Sequence, residues 1–559
     1  MSAPSEFSFR TRARNLRELA SRRFDVLVIG GGITGAGVAR DAALRGLSVA
    51  LVERRDFASG TSSRSSKLIH GGLRYLQQGD VALVREAATE RYVLRRLAPH
   101  LARPAPMLLP IYSRGAHAKM RVGLWTYDRL ASVADGERHR MLGRDEALAL
   151  EPRLRPENLH SAGLYYEYLT DDARLVIEVV KAAAAAGAVA ANYAEVEEFM
   201  IDAGRIDGAR VRDACTDERF AVRAQVVINA TGPWVDVLRL RAEAGGPRLR
   251  LTSGIHLGLC SERIGLSHIV VMPARDGRGV FAIPRGAITY LGTTDAFYAH
   301  PDDNPDIALD DALYLLAAAN RAFALAEPLT PDDVVSAWAG LRPLLHQEGK
   351  QPAELSRQDE VMVADNGLIS VAGGKLTTFR RMAGRVVDLA AARLPAGASA
   401  PDRGASATAP LGGGGTGDAL DLYAAGLHRD WPAVPRDVID RLVALVGSRA
   451  ADLVARMAIE PALAERLHPG LAVTRAEVDM AVGEEMALTL TDVLERRARL
   501  LPWTPDMGRG AAPAVAGVMA RLLGWDAERR RGEVAAYEAL TARLTAFARG
   551  GERMRALHG

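Results

Sequence analysis

Apolar and polar positions follow three rhythms along the chain, and the rhythm divides it. Between residues 24 and 52, the apolar run 26–29 (Phe24 just before it) lacks the alternation of a half-exposed strand and reads as one buried on both faces. Val38, Ala39, Ala42, Ala43 and Leu44 then fall at helical spacing, Gly46 breaks that helix, and 48–52 reads as a second strand. Residues 171–186 are helical, and 225–230 form another buried-type strand closed by the turn Thr231-Gly232-Pro233. Stretches 250–259, 279–284 and 287–292 alternate or run apolar and predict an antiparallel sheet. Residues 368–372 read as one more buried strand, with Gly373-Gly374 opening a helix from about Thr377. Residues 91–165 hold Pro, Arg and aromatics with little period and read as insertions that cap a site. Beyond residue 418 the 3.6-residue rhythm runs to about 548.

This predicts an α/β chain: a Rossmann-like dinucleotide-binding domain interleaved with an antiparallel-sheet substrate domain, then a C-terminal all-helical domain. The first occupies about 24–90, 170–240 and 336–395, and the second about 91–169 and 241–335. Residues 396–417, almost all Ala, Gly, Ser, Thr and Pro, read as a flexible linker ahead of 418–559. The first 23 residues carry six arginines against two glutamates. They read either as a solvated, partly disordered extension or as a basic amphipathic segment on an anionic membrane surface.

Composition changes this picture little. Two cysteines in 559 residues cannot form a disulfide framework, and no C-x-x-C offers a metal or redox site. No apolar run reaches the ~18 residues of a membrane span, and no signal-peptide core is found. A net charge of +3 gives no argument for nucleic acid. The expectation is a cytoplasmic protein.

The candidate chemistry starts at the first strand. Gly30, Gly32 and Gly35 form G-x-G-x-x-G: one glycine turns tightly, one admits a pyrophosphate, one lets helix and strand close up. The helix start offers free N–H groups to phosphate. Glu53, at the end of the second strand, is placed to accept from ribose hydroxyls and repel a 2′-phosphate. The loop Ser59–Asp80 opens with small hydroxyl and glycine residues suited to a polar ligand, and Gly71-Gly72 permits close backbone approach. The second strand–glycine–helix device at Gly373-Gly374 faces the same ligand.

The runs IGGGITGAGVARDAALRG and TSSRSSKLIHGGLRYL, with ATGPW (230–234), GTTD (292–295), GLRPLL (340–345) and GLISVAGGKLTTFRRMA (367–383), resemble the FAD-dependent glycerol-3-phosphate dehydrogenases. The likeness spans about residues 24–392, with Phe379 where the family has tyrosine and Ser253 where it often has lysine. It implies oxidation of sn-glycerol 3-phosphate to dihydroxyacetone phosphate by hydride transfer to non-covalent FAD. It also implies electron delivery to a membrane quinone, a peripheral place on the cytoplasmic (inner) membrane and a possible homodimer. Expected cofactor contacts are Gly30, Gly32, Thr34, Gly35 and Glu53, then Thr61, Ser62, Ser63, Lys67, Leu68, His70, Gly71 and Gly72. Thr231, Gly232, Gly374, Lys375, Leu376 and Thr377 complete the set. Phosphate needs fixed cations, expected in Arg74, Arg342, Arg357 and Lys375, with Tyr75 as a hydroxyl contact. His256 and Arg342 are the expected catalytic residues; an imidazole near its reference pKa of about 6.5 accepts a hydroxyl proton at neutral pH. No metal site is expected. Other readings stay open: a glycerol-3-phosphate oxidase releasing peroxide, a flavin-binding scaffold without turnover, or a 2-hydroxy-acid or amine oxidase, for which one arginine would suffice.

Overall fold

The computed structural model describes residues 7–73, 76, 80–131, 133–346, 359–395 and 404–548. Among them, the apolar runs 26–29 and 49–52 build the centre of a sheet whose strands lie in the order Asp359–Val363, Ile369–Gly373, Arg219–Asn229, Arg23–Ile29, Val49–Val52, Val189–Ala191. The four pairings from Ile369–Gly373 to Val189–Ala191 are parallel, which demands cover on both faces. Val26 and Val28 pack toward helices Ile33–Leu44 and Asp172–Ala185, while Leu27 and Ile29 pack with Leu19 and Val222 on the other side.

A second sheet runs Ala296–Tyr298, Leu249–Cys260, Ile288–Gly292, Gly279–Arg285, Ile269–Pro273, Arg103–Ile111, Ser161–Leu169, Leu68–Ile69. It is antiparallel as expected except where Ile269–Pro273 pairs parallel with Arg103–Ile111. Val334–Leu345 pairs antiparallel with Leu249–Cys260 and belongs to this sheet, so the predicted boundary at 336 falls inside a strand of the second unit. The α/β fold with interleaved units and a C-terminal helical domain is observed.

Three expectations are corrected. Residues 91–165, read as having little period, hold the end of helix Val81–Leu97 and all of helix Arg114–Ala131; the latter buries only Leu124, Tyr127 and Ala131, a stripe too narrow to stand out among its arginines. The basic start is not a solvated extension, because Phe9–Ser21 is a helix capped by Ser8 whose polar side chains reach into the protein. Arg12 donates to Asn192 O at 2.8 Å and Asp213 Oδ1 at 2.6 Å, and Asn15 donates to Ala190 O at 3.0 Å. The helix thus covers the open edge at Val189–Ala191. The third correction is the linker. Within its described part, 404–417, Leu411 is buried and bonds Leu97 O through its N–H, and a Cβ on Gly414 would stand 2.2 Å from that same oxygen. The glycines there permit close packing of backbone on backbone. Residues 396–403 lie outside the described part.

The C-terminal domain comprises helices Leu420–Asp430, Arg436–Val446, Ala450–Ile459, Arg475–Glu485, Ala512–Leu523 and Ala527–Leu544. Helix Arg475–Glu485 ends at Met486 (φ +54°) and is followed by a π-helical turn, Asp492–Arg497, whose Arg496 and Arg497 reach back to Asp56 in the first domain.

Candidate functional site

The first glycine cluster makes a cradle at the end of strand Arg23–Ile29. Gly30 lies at φ +109°, and a Cβ on Gly35 would fall 1.8 Å from Gly30 O, so neither position admits a side chain. Glu53 braces the turn: its carboxylate accepts from Gly31 N at 2.6 Å and Arg55 N at 2.9 Å. Burial pushes this carboxyl above its usual range, and the two N–H bonds pull it back. Ser62 Oγ accepts from Ile33 N at 3.0 Å, tying the hydroxyl-rich loop to the helix start, and Thr61 Oγ1 donates to Leu341 O at 2.6 Å.

A cavity opens over this cradle. Of the residues named from sequence, Gly30, Gly32, Thr34, Glu53, Thr61, Ser62, Thr231, Gly232, Gly374, Lys375 and Leu376 line it. Arg54, Arg241 and Trp234, not singled out from sequence, line it too. Trp234 lies under Arg54, 4.4 Å from guanidinium to ring centroid. Backbone N–H groups at one helix start, clearance enforced by glycine, and fixed cations suit a dinucleotide pyrophosphate, so the residues present fit FAD.

The other expected contacts stand behind the lining. Lys67, at φ +55°, is fully buried, and its ammonium donates to Ser63 O at 2.7 Å and to Asp172 at 2.9 and 3.0 Å. Burial lowers its pKa to about 8, against the pull of Asp172. Leu68 belongs to the second sheet. Gly71 N donates to Glu167 Oε2 at 2.8 Å, and a Cβ there would meet Tyr127 Oη at 2.0 Å, so this glycine makes room for Tyr127. Gly72 has φ +81°. Thr377 Oγ1 donates to His70 O at 3.2 Å, joining the second glycine device to the loop that carries Gly71-Gly72. Phe379 is buried, and its ring lies where a Cβ on Gly37 would be, 2.8 Å away.

His256 and Arg342 come from paired strands of the second sheet, in which Thr252 faces Arg342 and His256 faces Trp338. Arg342 fills the space above Gly254 and donates to Asp295 Oδ1 at 3.1 Å and Thr293 Oγ1 at 2.9 Å. His256 lies over Gly292, stacks on Trp338 at 5.0 Å with 11° between planes, and shares a 2.8 Å hydrogen bond between Nε2 and Ser66 Oγ. Its pKa is not near the reference value. Burial, with Lys67 and Arg342 adding to it, holds the imidazole well below and therefore neutral. Ser66, Trp338, Thr293 and Asp295 were missed as site residues, although the last two stand in the GTTD run. Arg74, Tyr75 and Arg357 lie outside the described residues.

Comparisons with known proteins agree. Residues 25–380 match the family described as FAD dependent oxidoreductase, and 404–530 match the C-terminal domain of alpha-glycerophosphate oxidase. The aerobic glycerol-3-phosphate dehydrogenase of Bacillus subtilis (strain 168) is 40% identical over 502 residues, 88% of this chain and 90% of that one. Its counterpart in Staphylococcus aureus (strain USA300) is 46% identical over 383 residues, 68% of this chain and 69% of that one. The solved glycerol-3-phosphate dehydrogenase of Bacillus halodurans, complexed with FAD, superposes with a TM-score of 0.81 at 36% identity, covering 96% of this chain and 98% of that one. On this sequence, fold and cavity, the chain belongs to the FAD-dependent glycerol-3-phosphate dehydrogenase family of oxidoreductases.

Proposed function

We propose that the protein oxidises sn-glycerol 3-phosphate to dihydroxyacetone phosphate and passes the electrons to a membrane quinone, working peripherally at the cytoplasmic face of the inner membrane. The observation that carries this reading is a fixed guanidinium, Arg342 on Asp295 and Thr293, next in the chain to Pro343 of the cavity wall, together with a neutral buried imidazole, His256, bonded to Ser66, which follows Ser65 of the same wall.

Arg342 takes the substrate phosphate, joined by Lys375, Arg74, Tyr75 and Arg357; several cations suit a phosphate dianion, whereas a carboxylate needs one. His256 accepts the hydroxyl proton at Nε2, the nitrogen now bonded to Ser66. Bound FAD supplies the two-electron acceptor for the hydride leaving the same carbon. Asp295 and Thr293 keep the guanidinium from turning away, so the phosphate is gripped at one fixed point relative to the imidazole.

The test is anaerobic mixing of the FAD-loaded protein with glycerol 3-phosphate. Flavin colour is expected to bleach with this substrate and to persist with glycerol or lactate; persistence with all three overturns the substrate assignment. Arg342→Ala is expected to raise KM about tenfold or more at unchanged flavin content, and an unchanged KM removes Arg342 from the clamp. Acceptor choice is read separately: turnover with a quinone analogue and slow peroxide formation fit the dehydrogenase, and rapid peroxide formation fits an oxidase.

A further inference from the structure

The wall behind the imidazole is built from the far end of the chain. The turn Ser65–Lys67 touches His256 through Ser66 Oγ and is held at every residue. Ser65 donates to Asp172 Oδ2 through its N–H at 3.1 Å and its hydroxyl at 2.8 Å. Ser65 O accepts from Trp338 Nε1 at 3.2 Å, and Ser66 O accepts from Tyr290 Oη at 3.0 Å. Lys67 lies in the left-handed region with its ammonium on Asp172, a conformation that persists only when its surroundings impose it.

Two residues of the C-terminal domain close this arrangement from outside. Arg499 Nη2 donates to Asp172 Oδ1 at 3.0 Å, and its Nε donates to Asp171 Oδ2 at 2.9 Å. Lys67 and Arg499 thereby balance Asp171 and Asp172 out of water. Burial alone would raise Asp172, but Lys67 and Arg499 hold it below the usual carboxylate range. One turn later, the Trp503 ring stands 5.9 Å from Trp338, nearly perpendicular to it, and 5.5 Å from Tyr290. Trp338 is the ring on which His256 is stacked.

We propose that Arg499 and Trp503 are positioning residues for the oxidation site: through Asp172 and Trp338 they hold the Ser65–Lys67 turn, and with it the His256 ring, in place. The inference rests on the reading of His256 as proton acceptor. Both residues stand behind the turn and act through others. A reacting nitrogen displaced by a fraction of an ångström loses rate, while the phosphate grip, anchored separately on Asp295 and Thr293, is retained.

The experiment uses the full-length, FAD-loaded enzyme with Arg499→Gln, Arg499→Lys, Trp503→Leu and Trp503→Phe. Steady-state kinetics with glycerol 3-phosphate is run beside hydrogen exchange across residues 59–67, the latter repeated on protein stripped of FAD. Arg499→Gln and Trp503→Leu are expected to speed exchange in 59–67 and to lower kcat by about 10- to 100-fold, with KM within about threefold of wild type. Arg499→Lys and Trp503→Phe, which keep a cation and a ring, are expected to recover part of both, and they carry the test if the harsher variants do not fold. Arg456→Gln, which breaks ion pairs to Asp479 and Glu484 elsewhere in the helical domain, is expected to leave both readouts at wild-type values. Unchanged exchange in 59–67 overturns the proposal, whether or not kcat falls, because any kcat loss then reaches the site by another route. If wild-type flavin is not reduced by glycerol 3-phosphate, the substrate reading fails, while the exchange measurement still reports on the wall.

Discussion

Two glycines in the second sheet stand where other residues need the room. A Cβ on Gly254 would lie 2.1 Å from Arg342 Nη2, and one on Gly292 would lie 2.0 Å from His256 Cδ2. The consequences differ, because a guanidinium at the end of a long side chain can swing aside, whereas a buried imidazole stacked on Trp338 has nowhere to go. Gly292→Ala is therefore expected to lower kcat about 100-fold, and Gly254→Ala to raise KM about tenfold while kcat holds. Kinetics normalised to bound flavin separates the two, and wild-type constants in both variants would place these side chains elsewhere in the working enzyme. Within G-x-G-x-x-G, the closing Gly35 was legible in sequence because its reason is local: it must clear Gly30 O in the same turn. Gly254 and Gly292 were not, since the groups they clear belong to other strands of the sheet.

At the scale of elements, the strands and the two glycine–helix devices were readable because burial on both faces leaves an unbroken apolar run. What misled was composition without partners. Six arginines in the first 23 residues look like a solvated tail, yet Arg12 and Asn15 bond the carbonyls of the edge strand region, and Phe7 and Leu19 are buried. Likewise the glycine-rich stretch around residue 413 looked flexible, although Gly412, Gly413, Gly414 and Gly415 each admit another backbone or side chain at close range. The N-terminal helix is thus a structural member. Arg12→Ala removes a charged hydrogen bond to Asp213 and leaves Asn192 O without its donor. Asp213 keeps the Cys215 N–H and the Thr216 hydroxyl, so the loss is expected near 2–3 kcal/mol, about what a bond to a charged group contributes, rather than the ~3–5 kcal/mol of an orphaned buried charge. Denaturant unfolding measures it. A variant as stable as wild type, or one that loses flavin at unchanged stability, would contradict a purely supporting role for this helix.

On the scale of the whole molecule, ion pairs joining distant parts of the chain were the least legible feature. Arg499 and Asp171 are 328 residues apart, and no local pattern announces such a partner. The same junction of domains buries His100, packed against Gly413 and Gly447 and facing Glu178, Arg174, Arg103 and Arg449. Burial lowers its pKa to about 4 against the pull of Glu178, and Arg174, Arg103 and Arg449 add to the lowering. In the unfolded chain the ring titrates near 6.5. Between these values the unfolded state holds a proton that the folded state does not, so stability from this group is complete above about pH 6.5 and drains away as pH falls toward 4. The full shift corresponds to about 3 kcal/mol. Many carboxylates also lose stability in acid, so the informative quantity is the difference between wild type and His100→Gln at each pH. That difference is expected to move by about 3 kcal/mol in favour of the variant between pH 7 and pH 4. Denaturation curves that stay parallel across that range would mean that the imidazole takes up its proton in the folded protein, with the domains parting enough to admit water.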